Sequence, residues 1–363
     1  MTNRKPMNEL RRLPGLDLLK ALAICMVLSL HVPLWYTRFI ANPTGVTYLS
    51  YAARLLCEGV PIFLVVNGFL MAGSKHWSIE GHLRRTGKLI ALLLVWGVIL
   101  TVAGALSHGD MSALSASYVL EHVLVTKLGS EYTGVLWYLQ YLAAAYLIWP
   151  ILMYVYEREF RLYGYFFGVV AFFRLGVDTL GLIRDYLNVW TDTTMLDEAI
   201  TFIGRFSPLG YATYLYYLML GGIIWHYKDR ILEAAGKWIG AALAAWGVSC
   251  LYGYSLSLLR GKVYTPDFNY DSIFMTVMVV GMMAAAIRYT GRDRWWERVL
   301  CCLGQHTLGI YLCHYLLIFA VNRFFVRERF LQRLAAYLVV LAGSWALAWI
   351  LKKIPGVRWL VTL

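Results

Sequence analysis

The stretch LDLLKALAICMVLSLH, residues 16–31, decides the class of fold. It is apolar for long enough to enter a membrane, yet it carries Lys20 near its start and His31 at its end. A transmembrane helix needs about 20 mostly apolar residues, which the stretch reaches when it is extended to residue 37. It is too long for a cleaved signal peptide and lacks a small-residue cleavage site. The sequence therefore predicts a first transmembrane helix that stays in the mature protein.

The composition of the whole chain extends this prediction. Its 363 residues are 60% hydrophobic and 15% charged, with a mean hydropathy of +0.59, whereas soluble domains are about 25% charged. We therefore predict an all-α, polytopic membrane helix bundle with about ten transmembrane helices, forming a single domain over residues 1–363 with no soluble domain. The predicted windows are 16–37, 49–73, 87–106, 134–156, 162–181, 207–227, 236–258, 271–290, 299–320 and 334–353.

The distribution of Lys and Arg predicts the orientation. Most of these residues fall before the first window and in alternate loops, which places both termini in the cytoplasm under the positive-inside rule. The loop NRFFVRERFLQR, residues 322–333, is basic but falls on the outer side. Either the positive-inside rule is weak late in the chain, or the loop contacts anionic headgroups or substrate. The net charge of +12 is thus a topology signal. Membrane lipids are predicted partners, and nucleic acid is not.

The sequence shows no pattern of metal ligands. None of the six cysteines belongs to a CxxC pair, and no His, Cys and carboxylate spacing typical of a metal site appears. The cysteines are therefore predicted to be small core or lipid-facing residues, and no metal site is predicted.

Lys20 and His31 are the residues of the first helix that need an explanation. Eleven helical steps of 100° bring His31 to within about 20° of the direction of Lys20, with a rise of about 16 Å. The two side chains are thus predicted on one helix face. Lys20 either extends its ammonium group to the membrane surface or binds an anion. His31 is either hydrogen-bonded to a neighbouring helix or acts as a general base, and spacing alone does not separate these two readings.

Five segments together resemble the acyltransferase-3 family of integral membrane O-acyltransferases. They follow the order of that family and span nearly the whole chain. The first contains a cation, ten residues and then His, the second is similar to a segment that usually ends in Ser-Gly-Phe or Ser-Gly-Tyr, and the last contains Tyr, two residues and then His. The segments are GLDLLKALAICMVLSLH (15–31), GVPIFLVVNGFLMAG (59–73), HLRRTGKLI (82–90), LWYLQYLAAAYLIWPIL (136–152) and LGQHTLGIYLCHYLLI (303–318).

This resemblance implies an activity. Members of the family move an acyl group, most commonly acetyl, from acyl-CoA on the cytoplasmic side to a hydroxyl, usually on a surface glycan or a lipid-linked sugar. The chain is most similar to the short bacterial members that O-acetylate surface polysaccharides, such as enterobacterial common antigen, in the cell inner (cytoplasmic) membrane. Acyl-CoA is then a donor substrate, and no permanently bound cofactor is expected.

The resemblance also implies roles for individual residues. It makes His31 the catalytic base, and places the CoA phosphates at Lys20, Arg84 and Arg85. It implies acceptor-side contacts for Asn67, Trp137, Tyr311 and His314. Asn67 departs from the family's usual Ser, and because an amide is no nucleophile, a Ser-linked acyl-enzyme is excluded at that position.

Structural explanations stay open for several of these residues. Arg84 and Arg85 also fit positive-inside topology, Trp137 fits an interfacial aromatic belt, and His314 fits an interhelical hydrogen bond. Asp17 lies three residues before Lys20 and is predicted to cap the first helix or to pair with that lysine. Arg174 lies inside a predicted helix and must face protein or water, which makes it a secondary candidate for a substrate contact.

A second class of function also fits ten helices with buried charges, namely a transporter or flippase of glycans or other substrates. Carriers built from inverted repeats show paired, Gly/Pro-interrupted helices in matching halves of the chain. The sequence shows no such pairing, and the family resemblance favours the enzyme.

Overall fold

The computed structural model describes residues 13–35, 37–74, 78–124, 132–191, 194–207, 213–264, 270, 272–324 and 330–363. This part of the chain is helical and contains no strand. The basic residues that precede Leu13, which contribute to the predicted orientation, lie outside the described residues. Residues 325–329 of the basic loop also lie outside them. The helices are α1 (Pro14–His31), α2 (Gly45–Leu56), α3 (Gly59–Ala72), α4 (Ile79–His108), α5 (Ala116–Leu124), α6 (Trp137–Arg158), α7 (Phe160–Leu187), α8 (Met195–Arg205), α9 (Thr213–His226), α10 (Lys228–Glu233), α11 (Ala235–Arg260), α12 (Ile273–Arg288), α13 (Trp295–Gln305), α14 (Thr307–Phe324) and α15 (Phe330–Lys353).

The prediction of a polytopic helix bundle is confirmed. Among the described residues, seven segments are long and apolar enough to cross a membrane, or eight when the bent pair α13 and α14 is counted as one span. The shorter apolar helix α12 adds a further segment of this kind. Each of the ten predicted windows overlaps at least one helix of the described residues, and the window 207–227 contains α9.

Two predicted windows contain a break that hydropathy does not show. The window 49–73 holds α2 and α3, which are separated at Cys57 and Glu58. The window 299–320 holds α13 and α14, which meet at His306 with a bend of 77°. Hydropathy averages over a window and therefore cannot detect a change in backbone direction. The break before α3 matters for function because it places Glu58 inside the bundle.

Helix α1 lies in the core and packs against α3, α12, α13, α14 and α15. Glycines allow close approach to it near its start and at its middle. A Cβ atom at Gly304 of α13 would lie 2.0 Å from the carbonyl oxygen of Asp17, and one at Gly59 of α3 would lie 2.2 Å from that of Ala23. Small residues permit such contacts between membrane helices. They hold α1 in register with the helices that form the site described below.

Candidate active site

A cavity of about 220 Å³ lies beside the C-terminal end of α1. It contains His31 and side chains from the α2–α3 break, the start of α6 and helix α14. We call it the His31 cavity. Its described lining residues are Val27, Leu30, His31, Arg54, Glu58, Gly59, Val60, Val135, Trp137, Tyr138, Tyr270 and Tyr311.

His31 is the last residue of α1 and is half-buried. Its Nδ1 atom lies 3.4 Å from the Tyr315 hydroxyl oxygen, and its ring centroid lies 5.3 Å from that of Tyr315. When Nδ1 carries the proton and donates to Tyr315, Nε2 keeps its lone pair and is able to accept a proton from a substrate. The position at the cavity thus fits the general-base role.

His314 packs directly against His31. The two ring centroids are 5.2 Å apart, and the His314 side chain is fully buried. Its Nδ1 atom donates to the carbonyl oxygen of Tyr311, which fixes the proton on that nitrogen because a carbonyl only accepts. The Nε2 atom is buried and has no hydrogen-bond partner among the described residues. The hydrogen bond at Nδ1 therefore lies within α14, and the described residues show no interhelical hydrogen bond to the His314 ring.

Aromatic side chains form much of the cavity lining. Tyr311 donates its hydroxyl proton to the carbonyl oxygen of Val135, which ties α14 to the turn before α6. Tyr138 meets Tyr311 edge to face at 5.5 Å, and Trp137 lies 6.0 Å from Tyr270. Tyr138 is buried and Trp137 is half-buried. Both residues thus lie at the start of α6 and border the cavity, and the interfacial-belt reading of Trp137 stays open beside the substrate contact.

Glu58 is the cavity residue that sequence reasoning missed. It is only 7% exposed, it precedes α3, and Tyr270 hydrogen-bonds to its carboxylate. Arg54, one helical turn earlier, also lines the cavity. A buried carboxylate needs partners of this kind, because an unpaired charge is costly to remove from water. In the sequence, Glu58 stands out only as an acidic residue in the middle of an apolar window. No sequence pattern pairs it with His31.

Lys20 is not among the described residues that line the His31 cavity. Its Nζ atom lies 2.7 Å from Oδ1 of Asp17, and the lysine side chain is 23% exposed. Leu13 is the N-cap of α1 and makes no side-chain cap. Of the two roles predicted for Asp17, the structure therefore shows the pairing with Lys20. A role of Lys20 in binding the donor stays a prediction.

Arg84 and Arg85 lie in the second turn of α4 and are exposed. Arg85 lines a separate small cavity of about 60 Å³ with Ser74, Ser78 and His82 among its other lining residues. Hydroxyl groups and a guanidinium group are suitable donors to a phosphate. Neither arginine is among the described residues that line the His31 cavity. Their contact with CoA stays a prediction.

Asn67 lies on α3 and is half-buried. Val60, which lines the His31 cavity, precedes it by seven residues, a rise of about 10 Å along the helix. The neighbouring Gly68 packs against the carbonyl oxygen of Leu218 in α9. The structure therefore does not bring Asn67 into the described lining of the cavity, and its substrate contact stays a prediction.

No group of three or more His, Cys, Asp or Glu side chains among the described residues is arranged to hold a metal ion. The chemistry of the His31 cavity is instead that of an imidazole, a carboxylate, a guanidinium group and tyrosine hydroxyls. Such a set of groups is able to bind a polar molecule and to transfer a proton.

Comparison with known proteins gives one match. A family model described as an acyltransferase domain, Acyl_transf_3, matches residues 13–349, which is almost the whole chain. No curated protein and no solved structure matches.

Proposed function

Because the chain belongs to the acyltransferase-3 family of membrane O-acyltransferases, we propose that it moves an acyl group from cytoplasmic acyl-CoA to an acceptor hydroxyl, with His31 as general base. The acceptor is a hydroxyl of a surface glycan or of a lipid-linked sugar, and acetyl is the proposed acyl group. The observation that carries the proposal is the position of the His31 imidazole on a cavity inside the bundle. The proposed location is the cell inner membrane, with both termini in the cytoplasm.

The proposed reaction has two proton transfers. His31 takes the proton of the acceptor hydroxyl as its oxygen attacks the carbonyl carbon of the thioester. The carbon–sulfur bond breaks, an ester forms, and the proton leaves His31 to give the free thiol of CoA. Protein groups need only hold the two substrates together and move this proton, since attack by a correctly placed hydroxyl is greatly favoured over attack from solution.

The residues around His31 have matching proposed roles. Tyr315 fixes the ring through the 3.4 Å contact at Nδ1. The aromatic side chains Trp137 and Tyr311 offer faces on which a sugar ring packs, and Glu58 accepts hydrogen bonds from acceptor hydroxyls. His314 supports the His31 ring through their packing. At the other end of the molecule, Lys20, Arg84 and Arg85 supply positive charge for the CoA phosphates.

The test is the acyl content of surface glycans and glycolipids, measured by mass spectrometry in cells that carry wild-type or His31→Ala protein at equal expression. We expect acylation to disappear in the variant. His226→Ala is the matched control, because His226 stacks on Phe160 and is not part of the described cavity lining. Unchanged acylation with His31→Ala would remove His31 as the base. Loss of glycan export, with the exported remainder still acylated, would favour a carrier instead.

A further inference from the structure

A further cavity, of about 340 Å³, lies between α7 and α8. We call it the Arg174 groove. Its described lining residues are Phe173, Arg174, Val177, Ile200, Thr201, Gly204, Arg205 and Ser207. Two guanidinium groups and no carboxylate are among them. The groove therefore combines an apolar surface with donors that suit an anion.

Arg174 lies in the middle of a membrane helix. It follows Phe160, the first residue of α7, by fourteen positions, a rise of about 21 Å. A guanidinium group at this depth is costly unless it faces protein, water or a charged ligand. The amphipathic helix α8 packs against α7 and brings Arg205 to the same groove. The structure thus places Arg174 at a cavity between two packed helices.

The carboxylates near the groove balance part of its charge. Asp178 lies one turn along α7 and interacts with Arg174. Asp197 of α8 is paired with Arg184 at 3.1 Å. Arg205 forms no ion pair with any described residue. Arg205 borders a neighbouring cavity together with Asp197 and Glu198, but neither carboxylate forms an ion pair with it.

Aromatic side chains connect the groove to the His31 cavity. Helix α7, which carries Arg174, packs against α9, which carries Tyr214. The Tyr214 ring lies 4.2 Å from that of Tyr141 and 5.4 Å from that of Trp137, which lines the His31 cavity. We call Trp137, Tyr141 and Tyr214 the aromatic bridge. Faces of aromatic rings bind the apolar faces of sugars and hydrocarbon chains alike.

We propose that the Arg174 groove binds the phosphate group of a lipid-anchored acceptor, whose hydroxyl-bearing part extends along the aromatic bridge to His31. This proposal rests on the proposed function. The anion is a phosphate because guanidinium groups bind its oxygens in a bidentate manner. It is carried by a lipid because the groove adjoins the middle of a membrane helix, where an anion needs an attached apolar chain to enter. The acceptor is thus a phospholipid-like molecule and not a free polysaccharide.

The test measures binding to the purified full-length protein by calorimetry, with dodecyl phosphate as the probe. Two control probes each share one feature with it: inorganic phosphate has the anionic group, and dodecanol has the hydrocarbon chain. We expect dodecyl phosphate to bind at least about tenfold more tightly than either, since a hydrogen bond to a charged group is worth about that factor. Equal binding of inorganic phosphate would identify a free-phosphate site, and equal binding of dodecanol a lipid site without anion recognition. Either result would overturn the proposal.

Variants locate the binding. Arg174→Gln and Arg205→Gln should each weaken dodecyl phosphate binding about tenfold, and Arg174→Lys should weaken it less because it keeps the charge. Arg161→Gln is the matched control, because Arg161 is an exposed residue of the same helix outside the described groove. Unchanged affinity in Arg205→Gln would contradict the proposal. This exposed variant decides the matter even if Arg174→Gln fails to fold.

His31→Ala separates this proposal from the proposed function. It should bind dodecyl phosphate as the wild-type protein does, although it lacks acyl transfer. Normal acyl transfer by the wild type, together with no dodecyl phosphate binding, would overturn the proposed role of the Arg174 groove and leave the proposed function intact. If His31→Ala binds dodecyl phosphate and still transfers the acyl group, the role of His31 as general base would be overturned and the role of the groove would stand.

Discussion

At one end of α1, His31 borders a cavity lined by aromatic and titratable side chains, whereas towards the other end Lys20 pairs with Asp17 at 2.7 Å. Arg84 and Arg85 of α4 are exposed to the surroundings. The first region is a partly open cavity and has the groups needed to move a proton. The second has cations whose interactions are screened by solvent. The difference indicates that substitutions in the first region affect the chemical step, whereas those in the second affect donor affinity.

Removal of the imidazole gives the strongest test of this comparison. His31→Gln keeps a polar side chain but removes the base, so we expect kcat to fall at least about 100-fold, the lower range for general-base catalysis. The measurement is thiol release from acetyl-CoA by membranes that contain the native acceptors. His226→Gln should retain wild-type turnover. A His31→Gln protein with near-normal kcat would mean that the cavity does not perform the chemistry.

Replacement of the cavity carboxylate should have the next largest effect. Glu58→Gln replaces the carboxyl group that Tyr270 hydrogen-bonds with an amide, and we expect kcat/KM for the acceptor substrate to fall about tenfold. Glu198→Gln, at an exposed position of α8, is the control. The readout is the rate of thiol release at varied acceptor density. An unaltered acceptor dependence would limit Glu58 to a structural role.

Substitutions in the second region should change KM for the donor and leave kcat unchanged. The double variant Arg84→Gln and Arg85→Gln should raise KM for acetyl-CoA about fivefold and leave kcat unchanged, because exposed ion pairs are each worth little. The effect should fade as salt is added, since salt screens exposed charges. Arg158→Gln, at the exposed end of α6, controls for loss of positive charge. A KM that stays at the wild-type value would assign Arg84 and Arg85 to topology.

The smallest effect is expected beside His31. Tyr315→Phe removes the 3.4 Å contact to Nδ1 and should lower kcat about threefold, as befits a long hydrogen bond between neutral groups. Tyr337→Phe is a suitable control, because the Tyr337 hydroxyl donates instead to the carbonyl oxygen of Cys25, within α1. A loss as large as that of His31→Gln would make Tyr315 a direct participant in proton transfer.

The sequence predicted the class of fold and part of the site. Among the described residues, hydropathy located the seven segments able to cross a membrane and the bent pair α13 and α14, because each membrane helix must satisfy its backbone hydrogen bonds internally and present an apolar surface. It missed the break between α2 and α3 and the bend at His306, since these depend on how helices pack. The family resemblance pointed to His31, Trp137, Tyr311 and His314, which the structure brings together. It gave no reason to select Glu58.

By itself, then, the sequence determined that this chain is a polytopic helix bundle and that Lys20 and His31 lie about 16 Å apart along one helix. Those properties follow from local backbone geometry and from the solvent that surrounds each segment. The tertiary structure decided which distant residues meet. It brought His314 and Tyr315 to His31, Glu58 to the same cavity, and Arg205 to Arg174. Such contacts join residues that are far apart in the chain, and the pattern of a single sequence carries no record of that packing.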